Sequence, residues 1–466
     1  MTLTRIVQTL IGAVERRPGR TIVAVGVTMA LAYGASLVLL PKRDGRIVVG
    51  DAGHYYVYLR SAVFDRDLHF RNDYVRLYRL KGGEEDTEWV YRPTATGHVR
   101  NMMAIGVPIL WAPLFLCVTL GVWVARLLGS AYPLDGFGAL FQASAGFSGI
   151  LAATIGAWLT YRFTAHVYGI RIGIWSTLAV WLGTNAIYYS MISPTYSHAA
   201  SMLVLSAFFF RWATTFDRQT AGRYAQLGAL AGLATLVRWQ DAVFLIVPLI
   251  DVIWHVRAGA AGRSPRVGWR KGILNLAVCG IAWIAVFSPQ IAVWMVLYGQ
   301  PVAMPQGSEW MQWGNPRVAA VLFSDWHGLF TWTPLVALAV IGLIPLWQRD
   351  RRMAAGMIAA FLVSVYANAA VIEWWAGEAY GSRRFVSCVP IFAVGFAALV
   401  ERMQRHTTAM AALAATLVVL NGLLLFQYQL FMHGLRTVAP YPIGAYNLLF
   451  ARFVTPFKLI GWWWSS

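Results

Sequence analysis

Long apolar segments recur along the chain and constrain its fold more than any other feature. About 20 apolar residues in a helix span roughly 30 Å of hydrocarbon. Only 12% of the 466 residues are charged, whereas a soluble domain carries about 25%. We therefore predict an all-α polytopic membrane protein with a single integral membrane domain, 1–466. The apolar segments are 21–40, 102–126, 137–160, 172–192, 199–215, 224–237, 240–254, 272–298, 329–347, 354–372, 385–400 and 407–430.

The net charge of +18 has two readings. In a soluble protein it would indicate nucleic-acid binding. In a membrane protein, Lys and Arg collect in the cytoplasmic loops, and this reading fits the apolar composition better, so nucleic acid is not an expected partner. Cys117, Cys279 and Cys388 lie in separate apolar segments, a spacing that predicts neither a disulfide framework nor a metal site.

Loop charges indicate which ends of the segments face the cytoplasm. The loops 161–171, 211–223, 255–271, 348–352 and 401–406 contain 15 Lys/Arg and 3 Asp/Glu. The intervening stretches 193–198, 238–241, 299–328, 373–384 and 431–466 contain 7 Lys/Arg and 5 Asp/Glu. By the positive-inside rule, the first set is cytoplasmic.

The N-terminus carries Arg5, Arg16, Arg17 and Arg20 and should also be cytoplasmic. Only two crossings then fit before the loop at 161–171, although three apolar segments precede it. We expect 102–126 to lie along or dip into the outer leaflet, because Pro108 and Pro113 should break its helix. This reading predicts about eleven transmembrane helices, a first extracytoplasmic loop at 41–136 with juxtamembrane helices, and an interfacial C-terminal tail at 431–466. The alternative, an outside N-terminus, places four arginines on the wrong side.

Polar and ionisable residues concentrate in the stretches assigned to the outside. Such groups at a membrane boundary are costly and often functional. Their clustering on one face predicts a site assembled from several loops. The residues singled out are Asp51, His54, Tyr55, His198, Arg238, Glu373, Glu378, Arg383 and Arg384.

Short motifs in these stretches resemble a known superfamily. Asp51 is followed by His54-Tyr55, and the run 61–68 is followed by Arg71-Asn72-Asp73-Tyr74. This pattern resembles the first outer loop of bacterial GT-C glycosyltransferases, a superfamily that includes the protein O-mannosyltransferases and the lipid A aminoarabinose transferase. Three later features agree with it, namely Tyr188-Tyr189-Ser190, the stretch 228–238 and the stretch 374–384.

The resemblance implies an inverting transfer of sugar from a polyprenyl-phosphate-linked donor to a lipid, glycan or protein acceptor. The reaction would take place on the extracytoplasmic side of a cell membrane, expected to be the inner membrane of a bacterium. Asp51 would be the catalytic base. Arginines, whose planar fork suits phosphate oxygens, would hold the donor phosphate: Arg383, Arg384 and also Arg238. Many relatives carry an Asp-Glu pair, whereas Ala52 follows Asp51 here, so a divalent metal stays possible without an assigned ligand set.

Each candidate also has a structural reading. Asp51 would then cap a helix, His54 and His198 would be satisfied interfacial histidines, and Arg383 and Arg384 would anchor to lipid head groups. Asp65 and Asp67 would form a solvated turn. Glu373, Glu378 and Tyr55 are assigned to substrate binding.

Three other functions compete with the transferase. A transporter or lipid-linked-sugar flippase would explain the spans without catalysis, but such proteins often contain paired repeats with broken helices, and none is evident. A polysaccharide ligase or polymerase usually has its largest outer loop late in the chain, whereas here the first is largest. A role as a non-enzymatic assembly subunit stays an open alternative.

Overall fold

The computed structural model describes residues 3–39, 46–78, 92–260 and 268–465. Those residues form helices and connecting loops and contain no β-strand, so the all-α prediction is confirmed. The helices before residue 128 are α1 (Leu3–Arg16), α2 (Pro18–Leu39), α3 (Asp51–Arg60), α4 (Arg71–Tyr78) and α5 (Gly106–Leu127).

The middle helices are α6 (Ala139–Leu182), α7 (Ser197–Thr214), α8 (Ala221–Val237), α9 (Ile246–Ala260) and α10 (Trp269–Tyr298). The later ones are α11 (Val318–Phe323), α12 (Leu329–Trp332), α13 (Pro334–Ile341), α14 (Leu343–Arg349), α15 (Arg351–Ala369), α16 (Val389–Arg402), α17 (Thr407–Met432), α18 (Ala445–Leu449) and α19 (Ala451–Ser465). Short 3₁₀ turns, Trp239–Leu245 and Arg383–Cys388, lead into α9 and α16.

Helix α6 is a hairpin of two arms. Gly169 adopts φ 81° within it, a left-handed value that glycine takes without strain. Gly173 then packs against the backbone of Ala165, so the chain reverses at this point. With α6 divided in this way, helices occupy each of the eleven segments that the sequence assigns to crossings.

Eight helices in the described residues are long and apolar enough to cross a membrane, with the whole of α6 counted once and α5 included. Many apolar side chains on them face outward, among them Ile273, Ile281 and Leu362. An apolar outer surface of this kind suits lipid rather than water. The number of crossings stays a prediction.

Helix α5 corrects one expectation. Pro113 lies inside it, yet the helix is continuous over 22 residues. Proline in a helix interior removes one hydrogen bond, and here the rest of the helix is maintained around it. The premise that the prolines break this segment is therefore wrong.

Both ends of α5 nevertheless contact the same end of the bundle. Gly106, at its start, packs against the backbone of Leu236 and Val237, where α8 ends. Just beyond its last turn, the Tyr132 hydroxyl accepts a hydrogen bond of 3.0 Å from the backbone N–H of Leu140, in the first turn of α6. The course of α5 along the outer leaflet stays a prediction.

The predicted cytoplasmic loops meet at one end of the bundle. Arg349 contacts Glu401 at 2.5 Å and the carbonyl oxygen of Val167 at 2.9 Å. Glu15 of α1 pairs with Arg171 at 3.0 Å. A fully buried carboxylate, Asp251, links α8, α9 and α15 at this end.

The predicted outer stretches meet at the opposite end. The side chain of Gln306 donates to the carbonyl oxygen of Met102 at 3.0 Å. His327 lies between the carbonyl oxygen of Trp375 and the hydroxyl of Tyr441, each at 2.6 Å. The division of loops into two groups thus matches the charge pattern, while the assignment of each group to a side of the membrane stays a prediction.

Candidate active site

Asp51 is the first residue of α3, at the end of the bundle where the outer stretches meet. The preceding Gly50 has φ 58° and ψ −136°, which favours glycine. The Tyr78 hydroxyl donates to the Gly50 carbonyl oxygen at 2.9 Å, and a Cβ at Gly50 would lie 2.8 Å from the Tyr196 hydroxyl. This turn fixes the Asp51 carboxylate at a helix N-terminus, where the dipole favours negative charge.

The Asp51 carboxylate pairs with Arg383 at 2.9 Å. The Asp51 side chain is 35% exposed and that of Arg383 is 17% exposed, so the pair is open to solvent on one side. The Arg383 guanidinium also lies 5.4 Å from the ring centroid of Tyr196, a distance typical of a cation–π contact.

Two further arginines lie close to this pair. Arg384 donates to the carbonyl oxygens of Glu373 at 3.0 Å and Trp374 at 3.5 Å. Arg238 contacts Nδ1 of His198 at 3.3 Å and the carbonyl oxygen of Arg384 at 3.4 Å. Since arginine is always a donor, the Nδ1 of His198 accepts in this contact. The site therefore contains three guanidinium groups beside one exposed carboxylate.

A buried carboxylate, that of Asp241, lies beside Arg238. It accepts a short hydrogen bond from the Ser201 hydroxyl, and it interacts electrostatically with Arg238. A buried carboxylate is costly without such partners. Asp241 therefore offsets part of the positive charge of the arginines from the protein side.

Aromatic side chains form a wall behind His198. The Tyr189 ring lies 4.5 Å from the His198 ring, and the Tyr188 ring stacks on Tyr380 at 5.2 Å. The Tyr189 hydroxyl accepts a hydrogen bond from the backbone N–H of Tyr380 at 3.1 Å. This wall joins the segment before α7 to the segment that carries the arginine pair.

Tyr55 joins the same cluster from α3. Its hydroxyl hydrogen-bonds to the side chain of Ser197, and burial raises the pKa of Tyr55 to about 12. Its ring packs edge-on against Trp111 of α5. A tyrosine held in this way stays neutral and can act as a hydrogen-bond donor at neutral pH.

His54, in contrast, faces the interior of the first loop. Its Nδ1 lies 2.8 Å from the Tyr74 hydroxyl, and its carbonyl oxygen accepts from Asn101 at 2.8 Å. Burial lowers the pKa of His54 to about 4. The imidazole is therefore neutral near pH 7, and its predicted contact with substrate stays a prediction.

The two glutamates differ in their surroundings. Glu373 is half-buried and interacts electrostatically with Arg384. The side chain of Glu378 is exposed, while its carbonyl oxygen accepts from Tyr428 at 2.9 Å. Glu373 thus belongs to the cluster, and Glu378 lies at its edge.

The acidic pair further along the first loop has structural partners. Asp65 contacts Arg60 and accepts from Asn72 at 2.8 Å. Asp67 accepts from the Ser61 hydroxyl at 2.7 Å and from the backbone N–H of His69 at 3.0 Å. These contacts favour the reading of Asp65 and Asp67 as a turn.

The residues that the structure describes do not form a divalent-metal site. Over the described ranges, no group of three or more His, Cys, Asp or Glu side chains is placed to hold one. Asp51 pairs with an arginine, and Ala52 stands where many GT-C relatives have a second carboxylate.

Sequence reasoning missed three contributors. Tyr78 and Tyr196 both contact Gly50, and Ser197 bonds to Tyr55. Tyr196 and Ser197 lie in the outer stretch 193–198, but nothing in that stretch indicates contact with a glycine far away in sequence. Tyr78 lies beyond the recognised 71–74 run and carries no signal of its own.

Comparison with known proteins gives matches at the level of structure. No protein-family model matches the chain, and no curated protein matches it. Among solved structures, ArnT from Cupriavidus metallidurans, bound to undecaprenyl phosphate, is similar at a TM-score of 0.49 and 14% identity, over 95% of this chain and 77% of that one. The Archaeoglobus fulgidus oligosaccharyltransferase, in complex with Zn and sulfate, is similar at a TM-score of 0.44 and 13% identity, over 92% of this chain.

This chain spans 53% of the archaeal protein's length. Both similar proteins are of the GT-C type, the superfamily that the first-loop motifs resemble. At these identities and TM-scores, the likeness assigns neither a substrate nor a residue role to this chain.

Proposed function

We propose that this protein is a membrane glycosyltransferase of the GT-C type. It moves sugar from a polyprenyl-phosphate-linked donor to a lipid, glycan or protein acceptor on the extracytoplasmic side. The expected setting is a bacterial inner membrane. The observation that carries the proposal is the partly exposed Asp51 carboxylate beside Arg383, with Arg384 and Arg238 close by.

The chemistry requires a base and a cationic site close together. As the acceptor oxygen bonds to C1 of the sugar, the carboxylate of Asp51 takes the hydroxyl proton. The bond between C1 and the phosphate oxygen breaks, and its electron pair leaves with the lipid phosphate. Guanidinium groups offset the charge on that leaving group. Attack opposite the leaving group inverts the configuration at C1.

The location of the cluster supports a lipid-linked donor. The site lies at the end of the bundle opposite the Arg-rich loops, which the positive-inside rule places in the cytoplasm. Charged nucleotide sugars are made in the cytoplasm and do not cross the membrane unaided. A sugar carried on a membrane lipid is available at the outer end.

The test is transfer by purified protein from a panel of polyprenyl-phosphate sugars, comparing wild type with Asp51→Asn. Asparagine has nearly the same size but cannot accept the proton, so turnover should fall about 10²- to 10⁴-fold. Asp65→Asn is the matched control, because Asp65 bonds to Arg60 and Asn72. It should keep turnover per folded molecule.

Transfer by Asp51→Asn within a few-fold of wild type would remove the base from this mechanism. Absence of transfer from every donor by the wild type, together with movement of lipid-linked sugar between leaflets, would favour a flippase.

A further inference from the structure

The three arginines of the site are not equivalent in their partners. Arg384 donates to the carbonyl oxygens of Glu373 and Trp374. Arg238 contacts His198 and the carbonyl oxygen of Arg384. Arg383 alone among these three forms an ion pair with a carboxylate, that of Asp51. The cation nearest the proposed base is therefore already engaged by it.

Beside the half-buried Arg384, the Asp51–Arg383 pair is partly open to solvent. Both of its members are partly exposed, whereas Arg238 and Asp241 are buried. An anion that approaches from solvent would meet Arg383 before it meets Arg238. The Tyr196 ring supports the Arg383 guanidinium at 5.4 Å, and guanidinium has five N–H donors, more than the contact with Asp51 uses.

A carboxylate and a phosphate compete for the same donors. Guanidinium binds either anion through parallel N–H···O bonds. A carboxylate that is held by arginine must give up that contact before it can turn toward another partner. Phosphate bound at Arg383 would therefore compete with Asp51. The Asp51–Arg383 contact would form again when the phosphate leaves.

We propose that Arg383 is a positioning residue shared in turn by Asp51 and the donor phosphate, so that an anionic donor releases the base as it binds. The proposal rests on the function proposed above and adds the order in which donor and acceptor are engaged. The donor binds first, and acceptor activation follows. Without the donor, the Asp51 carboxylate stays paired with Arg383.

The test measures binding rather than turnover. Radiolabelled farnesyl phosphate is titrated into purified protein in detergent micelles, with farnesol as the uncharged control. The variants are Asp51→Asn, Arg383→Gln and the double variant. Asp51→Asn should bind farnesyl phosphate about two- to five-fold more tightly, the amount that a partly exposed ion pair is worth. Arg383→Gln should bind it about ten-fold or more weakly.

The double variant separates competition from simple charge removal. If Arg383 is the shared group, Asp51→Asn should no longer tighten binding once Arg383 is glutamine. Tightening that persists in the double variant overturns the proposal, because loss of a nearby negative charge would explain it. Equal or weaker binding by Asp51→Asn also overturns it, while leaving the proposed function in place.

Two further measurements keep the result interpretable. Arg383→Lys retains a cation and should bind farnesyl phosphate more tightly than Arg383→Gln; equal weakening in both variants, with unchanged unfolding temperatures, would overturn a role for the cation. Wild-type protein that binds farnesyl phosphate no better than farnesol would refute the lipid-phosphate function together with this inference.

Discussion

The clearest stability prediction concerns Asp251, at the end of the bundle where the Arg-rich loops meet. Its carboxylate is fully buried and accepts from Arg223 at 2.6 Å and from the Tyr224 hydroxyl at 2.9 Å. Its other oxygen accepts two bonds from Arg352, at 3.0 and 2.8 Å. One carboxylate thus joins three helices, α8, α9 and α15.

Asp251→Asn should destabilise the protein strongly. The variant leaves the guanidinium groups of Arg223 and Arg352 without their carboxylate. The asparagine N–H₂ group would also replace an oxygen that accepts hydrogen bonds, so its N–H donors would face the N–H donors of an arginine. Removing one member of a buried ionic network costs about 3–5 kcal/mol. We therefore expect a loss of about 3 kcal/mol or more in the free energy of unfolding.

A matched control lies at the same end of the bundle. Arg349 and Glu401 also link two loops, but their side chains are 45% and 37% exposed. An exposed pair contributes about 1 kcal/mol or less, so Glu401→Gln should change stability little. The assay is reversible unfolding of purified protein in mixed micelles with increasing denaturing detergent. Equal small losses in both variants would refute the idea that Asp251 ties the three helices together.

Two further predictions follow from the same structure. The predicted outer loop 41–136 places Ala95 and Ser130, both exposed, on the same side of the membrane, with α5 between them. In a Cys117→Ala background, cysteines at these two positions should therefore both react with an impermeant thiol reagent in intact spheroplasts. Protection of Ser130→Cys alone, until lysis, would show that α5 crosses. Gly149→Ala should lower the free energy of unfolding by about 1–3 kcal/mol in the same assay, because the new Cβ would overlap the Pro194 carbonyl oxygen. Gly280→Ala is the control, since its Cβ would meet open space and should not destabilise the protein. Equal effects of the two substitutions would contradict this packing.

Much of the fold could be predicted because each apolar segment is a local signal. Composition alone places a helix over 407–430, and α17 covers that range as Thr407–Met432. The effect of Pro113 was misjudged, because one lost hydrogen bond does not decide whether packing maintains a helix. The charge of the loops predicted their grouping, since the positive-inside rule needs no tertiary contact.

The candidate site was predictable only in part. Asp51, Arg238, Arg383 and Arg384 are recognisable as ionisable groups near segment ends, and the structure brings them together. Their pairing could not be predicted, because it depends on which helices lie side by side. For the same reason, the orientation of His54 toward Tyr74 had no local signal.

The two ends of the bundle use the same residue types in opposite ways. At the Arg-rich end, Asp251 is closed off from solvent and its lone pairs are taken up by fixed donors. At the other end, the Asp51–Arg383 pair stays partly open. A closed network resists exchange of partners, because each departure leaves a buried charge. In the open pair, Arg383 can exchange the Asp51 carboxylate for another anion at little cost. This property makes the cluster around Arg383 the better candidate for chemistry on an anionic lipid.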